Sequence, residues 1–281
     1  MTRSVLALAA GAWLVAVILA AALSPLLAPF DPIQPVGTAL ASPGDGSLLG
    51  TDELGRDLWS RMVFGSRISL TAALIAALLT VSIGGILGLA AAMRGGWVDR
   101  VILWGTNAML AIPGLLLALM LMTALGPGVG TIILAVGLGG APGFARLSRP
   151  IFLAARQTDY AQAARALGAG QPWVAARHVL PNARTGLLSL ATTHVAWAFV
   201  GITTLTFLGL AGNPSLPEWG AMLNSGRSHL VDSPHLALWP GTAIALTVLS
   251  IQYLGSWFTR GEKTKMASGQ DSSPSEDRHR S

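Results

Sequence analysis

Long apolar runs alternate with short polar segments along this chain, and they set its fold class. A helix needs about 20 apolar residues to cross roughly 30 Å of hydrocarbon. Six runs approach or exceed that length, although the fourth is short and rich in glycine: 5–24, 68–92, 101–125, 129–145, 186–208 and 236–258. The pattern therefore predicts an all-α integral membrane protein with six transmembrane helices.

Basic residues lie mainly on one side of the predicted membrane. If the N-terminus is inside, the inner segments are 1–4, 93–100, 146–185 and 259–281, and they hold 14 of the 18 lysines and arginines. This excess follows the positive-inside pattern and predicts that both termini are cytoplasmic. The first run also resembles a cleavable signal peptide, with Arg3 before it and "LAAALS" at its end, and cleavage would leave five spans. Its length and its apolar continuation favour a retained span.

The composition supports a membrane protein and excludes several other classes. The 281 residues are 52% hydrophobic and 11% charged, with a mean hydropathy of +0.58. The absence of cysteine rules out disulfides, thiolate metal sites and a cysteine nucleophile. No run of five or more basic residues occurs, so the net charge of +5 does not indicate nucleic-acid binding. No P-loop, serine-hydrolase or zinc-protease motif occurs either, so we expect no enzyme activity and no cofactor bound by this chain.

The longest inner segment, residues 146–185, interrupts the apolar pattern with alanines, glycines and arginines. A loop of about 40 residues without structure is uncommon, so we expect it to fold locally. Thr158 or Asp159 is placed to cap a helix through "YAQAARAL", and Gly168 with Gly170 is expected to end that helix.

A second short helix is predicted after this glycine elbow. Pro172 begins it at a first-turn position that proline tolerates, the helix runs through "WVAARHVL", and Pro181 ends it. The pair is either a docking element for a partner protein or an interfacial pair that lies on anionic lipid. The two helix faces comprise Tyr160, Ala163, Ala164 and Leu167 on the first helix, and Trp173, Ala176, Arg177 and Leu180 on the second.

The alanines before Gly168 and the later "HVLPN" resemble the EAA loop of the permease subunits of binding-protein-dependent ABC importers. In that family the loop supplies the coupling helix that docks into the ATPase subunit, so the resemblance favours the docking element. It implies a coupling loop that includes Tyr160, Ala163, Ala164, Leu167, Gly168, Trp173, His178, Pro181 and Asn182.

Other segments resemble the dipeptide, oligopeptide and nickel subfamily of these permeases. They are "LGTDELGRDLWSRMVFGSRISL" at 49–70, "AIPGLLLAL", "FLGL", "WGAML" and "WPG". The resemblance covers residues 5–258 and implies the type I ABC importer permease fold in a bacterial inner membrane. The implied partners are a second homologous permease, two ATPase subunits that use ATP and Mg, an extracytoplasmic solute-binding protein and lipid. Short peptides are the expected cargo, with nickel or a metal-chelator complex as the alternative.

Several positions depart from the family pattern. Gln162 replaces the glutamate that names the EAA motif, Asn107 replaces an aspartate near "IPG", and Ile202 stands where a glutamate is usual. The last span is followed by "GSWFTRG" instead of the usual acidic ending. The three neutral replacements bear on the strength of coupling and on the choice of partner.

The outer segment before the second span contains "GTDELGRD". Asp57 is placed to cap the helix "LWSRMVFG" and to pair with Arg61 four residues later. This helix is expected at the outer interface, within a folded plug that anchors the second span. The alternative is direct solute contact by Asp52, Glu53 or Arg56. The candidate residues of the outer segment are Asp52, Gly55, Arg56, Asp57 and Arg61.

Polar residues inside the spans are candidates for the transport pathway. His194 lies near the middle of the fifth span, where an ionisable group usually faces protein or water. A hydrogen bond to another helix, pathway lining and a metal relay all remain open for it. Thr203, Thr204 and Thr206 either bond their own helix or contact solute. Asn107, His194, Thr203 and Thr204 are the candidate pathway residues, and the lack of another ionisable group argues against an ATP-independent secondary transporter.

Two proline–glycine pairs mark weak points in the spans. Pro113 with Gly114 and Pro240 with Gly241 are expected to kink or loosen the third and sixth spans, either as hinges or as passive irregularities. The predicted organisation is an N-terminal span with the outer segment (1–67), a core of five spans with the coupling loop 146–185 (68–258), and a polar tail expected to be disordered (259–281).

Overall fold

The structure is a computed structural model that describes residues 2–44, 46–213 and 215–270, with side chains between residues 4 and 257. Helices account for the regular structure of these residues, apart from two isolated β-bridges in the outer segment. The helices are α1 (Thr2–Ala22), α2 (Ser24–Leu27), α3 (Leu58–Arg94), α4 (Gly96–Leu110), α5 (Gly114–Leu125), α6 (Val129–Arg156), α7 (Asp159–Ala166), α8 (Gln171–Val174), α9 (Leu180–Phe207), α10 (Trp219–Gly226) and α11 (His235–Gln270).

Within the part of the chain that the structure describes, five helical segments are long and apolar enough to cross a membrane. They are Ser4–Ala22, Leu58–Arg94, Val129–Arg156, Gln171–Phe207 and His235–Trp257. The pair α4 and α5 passes the same test together, and counting it as one span gives the six that the sequence predicts. The all-α membrane fold is therefore confirmed.

The third predicted span is broken rather than kinked. Helices α4 and α5 meet at an angle of 87°. Pro113 precedes α5 with an extended backbone (φ −57°, ψ 131°), and its missing N–H cannot continue the hydrogen-bond ladder of α4. The predicted weak point at Pro113 and Gly114 is therefore confirmed. Pro240 instead lies inside the continuous helix α11, near its start, where the loss of one hydrogen bond does not break the helix.

The second span begins earlier than the hydrophobic pattern suggests. Helix α3 starts at Leu58, so "LWSRMVFG" forms its first turns and is not a separate helix at the outer interface. The predicted cap is correct, because the Asp57 carboxylate accepts a hydrogen bond from the Ser60 amide at 2.7 Å. Polar residues such as Ser60, Arg61 and Ser66 lower the hydropathy of these turns, so the hydropathy pattern alone places the start of the span at residue 68.

Small residues let α3 and α6 approach closely. A Cβ atom on Gly84 of α3 would lie 2.5 Å from the Ala141 carbonyl oxygen of α6. The Thr80 hydroxyl donates a hydrogen bond to the Gly137 carbonyl across the same contact, at 2.9 Å. Lipid tails are as apolar as leucine, so close packing and hydrogen bonds of this kind hold membrane helices together. Helices α3 and α6 therefore pack tightly against each other.

Helix α11 extends further than expected. The tail 259–281 is predicted to be disordered, but the helix continues to Gln270. A chain that is already helical adds residues without a new nucleation cost, and Lys, Glu, Met and Ala between 262 and 267 are good helix formers. The rest of the predicted tail, 271–281, lies outside the described residues.

Candidate functional site

The inner loop between α6 and α9 contains the glycine elbow that the sequence predicts. After α7, the Gly168 amide donates to the Arg165 carbonyl and the Ala169 amide donates to the Ala164 carbonyl, both at 3.0 Å. This double closure is the Schellman motif, and it needs the left-handed backbone that Gly168 adopts (φ +89°). The loop is therefore a folded element with a defined turn.

The second half of the loop differs from the prediction. Pro172 does lie in the first turn of α8, but Pro181 does not end the helix. A π-helical turn, Ala175–Val179, leads directly into α9, with Pro181 in the first turn of α9. The Leu180 amide donates to the Ala175 carbonyl, five residues back, so the ladder is already shifted where the proline ring enters. The wider π-helical turn accommodates the Pro181 ring, which would clash with a carbonyl in a regular helix.

The inner loop has one buried face and one exposed apolar face. Ala161, Val174 and Val179 are fully buried in a cluster with residues of α3 and α6. The side chains of Tyr160, Leu167 and Trp173 are 51%, 89% and 54% exposed. Ala163, Gly168, Pro181 and Asn182 are also exposed, whereas Ala164 and His178 are half-buried.

His178 joins the two halves of the loop. Its ring lies 6.1 Å from the Tyr160 ring and 5.1 Å from the Trp173 ring, centroid to centroid. The Asn182 side-chain amide donates to the His178 carbonyl at 2.6 Å. The aromatic residues of α7 and α8 thus form one surface. Gln162, which replaces the usual glutamate, is exposed and donates to the Gln157 carbonyl.

On the outer side, Asp52 holds two buried arginines. Its carboxylate contacts the Arg56 Nε at 2.6 Å and the Arg61 Nε at 3.2 Å, and both arginine side chains are 3% exposed. The predicted pair between Asp57 and Arg61 is wrong. The Asp57 carboxylate is already occupied by the Ser60 amide and by the hydroxyls of Ser60 and Ser47. Arg61 therefore bonds Asp52 and the carbonyls of Pro32 and Ser215.

Burial of the outer segment supports the folded plug over direct solute contact. Asp52, Arg56, Asp57 and Arg61 are all buried. Gly55 turns the chain with φ +74°, and a Cβ atom there would collide with the Gly37 carbonyl oxygen.

Glu218 is not among the residues predicted from the sequence, yet its carboxylate connects α10 to α3. Its carboxylate caps α10 by accepting from the Ala221 amide at 2.9 Å, and it accepts from the Ser69 hydroxyl of α3 at 2.8 Å. The next residue, Trp219, contacts the Phe199 ring of α9. The only sequence signal is an acidic residue directly before the apolar "WGAML", which fits a helix cap.

Glu218 should make the stability of the protein depend on pH. It lies in the outer connection between spans, and burial raises the pKa of its carboxyl above the ordinary 4.5. The folded state therefore holds a proton that the unfolded state releases, so this contribution is greatest below pH 4.5 and declines as pH rises through the folded-state pKa. Glu218→Gln should flatten this component in thermal unfolding of the purified protein between pH 4.5 and 7.5. An unchanged pH profile in the variant would contradict the assignment.

A cavity of about 570 Å³ lies where the break between α4 and α5 meets α6 and α9. Its lining is almost entirely apolar and includes Pro113, Trp197 and the candidate Thr204.

At the inner end of α4, Arg149 of α6 forms two hydrogen bonds with the Asp99 carboxylate, the Nε–Oδ1 bond being 2.6 Å. Helix α4 is thus bonded to α6 at its first turn, and it ends at the break with α5 next to the cavity.

The other pathway candidates do not line this cavity. His194 places its Nδ1 2.9 Å from the Leu190 carbonyl of its own helix, and its ring meets the edge of Phe144 on α6. The predicted hydrogen bond to another helix is therefore replaced by an aromatic contact. Thr203 is buried and bonds the Phe199 carbonyl of its own helix, which favours the first of its two alternatives. Asn107 is exposed on α4.

His194→Ala should transport nearly normally, since the Nδ1 of His194 pairs with the Leu190 carbonyl of its own helix and not with another helix. Uptake within about twofold of wild type, at equal protein level, is the expected result for removing one such bond. Abolished uptake with intact assembly would instead indicate a role in the pathway. Among the residues with described side chains, no three His, Cys, Asp or Glu residues gather into a metal-binding group.

Together these features define a multi-span membrane protein with a buried outer segment, a broken span beside a cavity and a folded inner loop with an exposed apolar face. Residues 84–261 match the family described as "Binding-protein-dependent transport system inner membrane component", and the chain belongs to this family.

Two relatives support the same assignment. The chain is 37% identical over 255 residues to the glutathione transport system permease protein GsiD of Pectobacterium atrosepticum, which covers 90% of this chain and 85% of the relative. It is 38% identical over 206 residues to the protein of the same name from Escherichia coli O6:K15:H31, covering 73% and 68%.

Solved structures share the fold. The methionine ABC transporter MetNI in an inward-facing conformation has a TM-score of 0.60 at 20% identity, covering 73% of this chain and 96% of that chain. An amino acid ABC transporter solved with histidines has a TM-score of 0.56 at 15% identity, covering 71% and 93%. The type I importer permease fold is therefore confirmed.

The chain is thus a multi-pass inner-membrane permease subunit of a binding-protein-dependent ABC importer in the peptide and nickel subfamily. It is not an enzyme, because ATP hydrolysis in these systems belongs to a separate ATPase subunit. A solute-binding protein is the other partner that this family requires.

Proposed function

We propose that this permease imports short peptides, including glutathione-like tripeptides. The observation that carries the proposal is the 37% identity with a glutathione permease over 85% of that relative's length. The outer segment also reads most like the peptide members of the subfamily. A nickel or metal-chelator cargo and an ATP-independent mechanism have no comparable support.

The proposed complex contains a second homologous permease, two ATPase subunits and an extracytoplasmic solute-binding protein, within membrane lipid. Residues 107–116, around the break between α4 and α5, are all exposed, which supports a neighbouring subunit there. This chain binds no cofactor of its own, and ATP and Mg act on the ATPase subunits. Both termini are cytoplasmic, a proposal supported by the concentration of arginines in the inner segments.

In the proposed mechanism, the outer face of the coupling loop docks into an ATPase subunit. Tyr160, Leu167 and Trp173 offer the exposed apolar area for that contact. When the ATPases close, the loop moves with them, and its buried face carries the displacement into α3, α6 and α9. The break between α4 and α5 lets the pathway beside the cavity change shape.

The cargo can be tested on the solute-binding protein of the same system. We would recover it with the tagged permease from native membranes and follow its thermal unfolding with reduced glutathione, unrelated di- and tripeptides, and nickel chelates. Stabilisation by peptides at micromolar concentration supports the proposal, since ligand at 100 times Kd stabilises by about 2.7 kcal/mol. Stabilisation by nickel chelates alone would contradict it.

A further inference from the structure

Three helix ends meet where the coupling loop joins the membrane domain. Helix α3 ends at Arg94, α6 ends at Arg156, and α7 begins three residues later at Asp159. The last four carbonyls of any helix have no partner within it and carry the negative end of the helix dipole. Cationic donors placed at these carbonyls therefore bind them strongly.

The side chains of two arginines connect these helix ends one after the other. The Arg165 side chain of α7 donates from Nη2 to the Arg156 carbonyl at 3.0 Å, and from Nε to the Ala161 carbonyl of its own helix at 3.2 Å. The Arg156 side chain donates from Nη1 to the Ala92 carbonyl near the end of α3, at 2.8 Å. These hydrogen bonds link α7 to α6, and α6 to α3.

We propose that Arg165 and Arg156 are positioning residues that transmit the movement of the coupling loop into α6 and α3. The inference rests on the proposed function, because it assumes that the loop is moved by an ATPase. The proposed role depends on the hydrogen bonds of these two arginines to protein carbonyls, and not only on their positive charge. Their side chains are half-buried and donate to protein carbonyls, so these hydrogen-bond donors point into the protein.

The geometry explains why apolar packing would not be enough. The alanine and valine contacts beneath the loop resist separation, but smooth apolar surfaces can slide past one another. A guanidinium that donates to carbonyls on two elements fixes their relative position, because charge-assisted hydrogen bonds are strong and directional. Arg165 bonds α7 and α6 together in this way, so a tilt of α7 must displace the end of α6.

The test uses the complete reconstituted transporter with its ATPases and binding protein. Arg165→Gln removes the guanidinium and both of its hydrogen bonds, and Arg165→Lys keeps the charge without the planar fork. Arg146→Gln makes the same charge change at an exposed arginine of α6, away from the docking face of the loop. ATP hydrolysis and uptake of radiolabelled glutathione would be measured for each. We expect Arg165→Gln to hydrolyse ATP but to transport about threefold less cargo per ATP, in the range that single coupling residues produce. Arg165→Lys should be intermediate and Arg146→Gln unchanged.

A second readout does not depend on the cargo. The chain contains no cysteine, so Val200→Cys places a single fluorophore in the cavity. Trapping the ATPases with ATP and vanadate should change quenching of this label in the otherwise native protein, and Arg165→Gln should lose that change while retaining bound ATPase. No change in the native background would contradict the proposed function itself. A normal change with normal cargo per ATP in Arg165→Gln, or loss of the ATPase from that variant, would overturn the role of Arg165 alone.

Discussion

Gly168→Trp should abolish ATP-driven uptake while leaving the amount of membrane-inserted permease unchanged. Gly168 is exposed at the elbow of the coupling loop, in a left-handed conformation that costs other residues about 1–2 kcal/mol. No other group lies within 4 Å of where a Cβ would stand, so the indole would project from the docking surface without disturbing the core. A blocked central contact commonly loses about 2 kcal/mol or more, and uptake should fall by tenfold or more.

Gly168→Asn is the matched control. Asparagine tolerates the left-handed region, keeps the amide bonds of the turn and adds little bulk. We expect it to retain most uptake, whereas tryptophan removes it, with both variants present at wild-type level in isolated membranes. Normal uptake by a stably inserted Gly168→Trp protein would remove the loop from the coupling mechanism.

Asp52→Asn should destabilise the outer side of the protein severely. One buried carboxylate is shared by Arg56 and Arg61, so its neutralisation leaves two buried guanidinium groups without a counter-ion. Breaking a buried ion pair by removing one partner commonly costs about 3–5 kcal/mol. The thermal unfolding midpoint of the purified permease should fall markedly, and less protein should assemble into the complex.

Glu53→Gln provides the control at the neighbouring position. Glu53 is exposed, and its Oε2 lies 3.6 Å from the His229 Nε2. Removing a charge at such a surface contact should change stability by no more than about 0.5–1 kcal/mol. Equal unfolding midpoints for the Asp52 and Glu53 variants would show that the outer segment is not held by the shared carboxylate. Loss of uptake in a fully stable Asp52→Asn protein would restore the alternative of direct solute contact.

Features that depend on neighbouring residues in the chain could be predicted from the sequence. The Asp57 cap, the Gly168 elbow and the break at Pro113 each follow from the conformational limits of one residue type, and the structure contains all three. The spans follow from hydropathy because lipid requires apolar surface over a fixed length. The position of the coupling loop came from its resemblance to a family motif.

Features that depend on distant partners could not be predicted. The pairing rule for residues four apart favours Asp57 with Arg61, but three donors from Ser47 and Ser60 occupy that carboxylate. Pro181 stands in a continuous helix because a π-helical turn precedes it, and nothing local indicates that turn. Glu218 acquires its role only because folding brings Ser69 of α3 beside it.

The most direct test of the central claim is affinity purification of the tagged, full-length chain from native membranes under gentle solubilisation, followed by ATPase assay of the eluate. We expect an ATPase subunit to accompany the wild-type permease and the Gly168→Asn variant, and to be lost from the Gly168→Trp variant. An intact, membrane-inserted wild-type permease that carries no ATPase would contradict the coupling role of the loop.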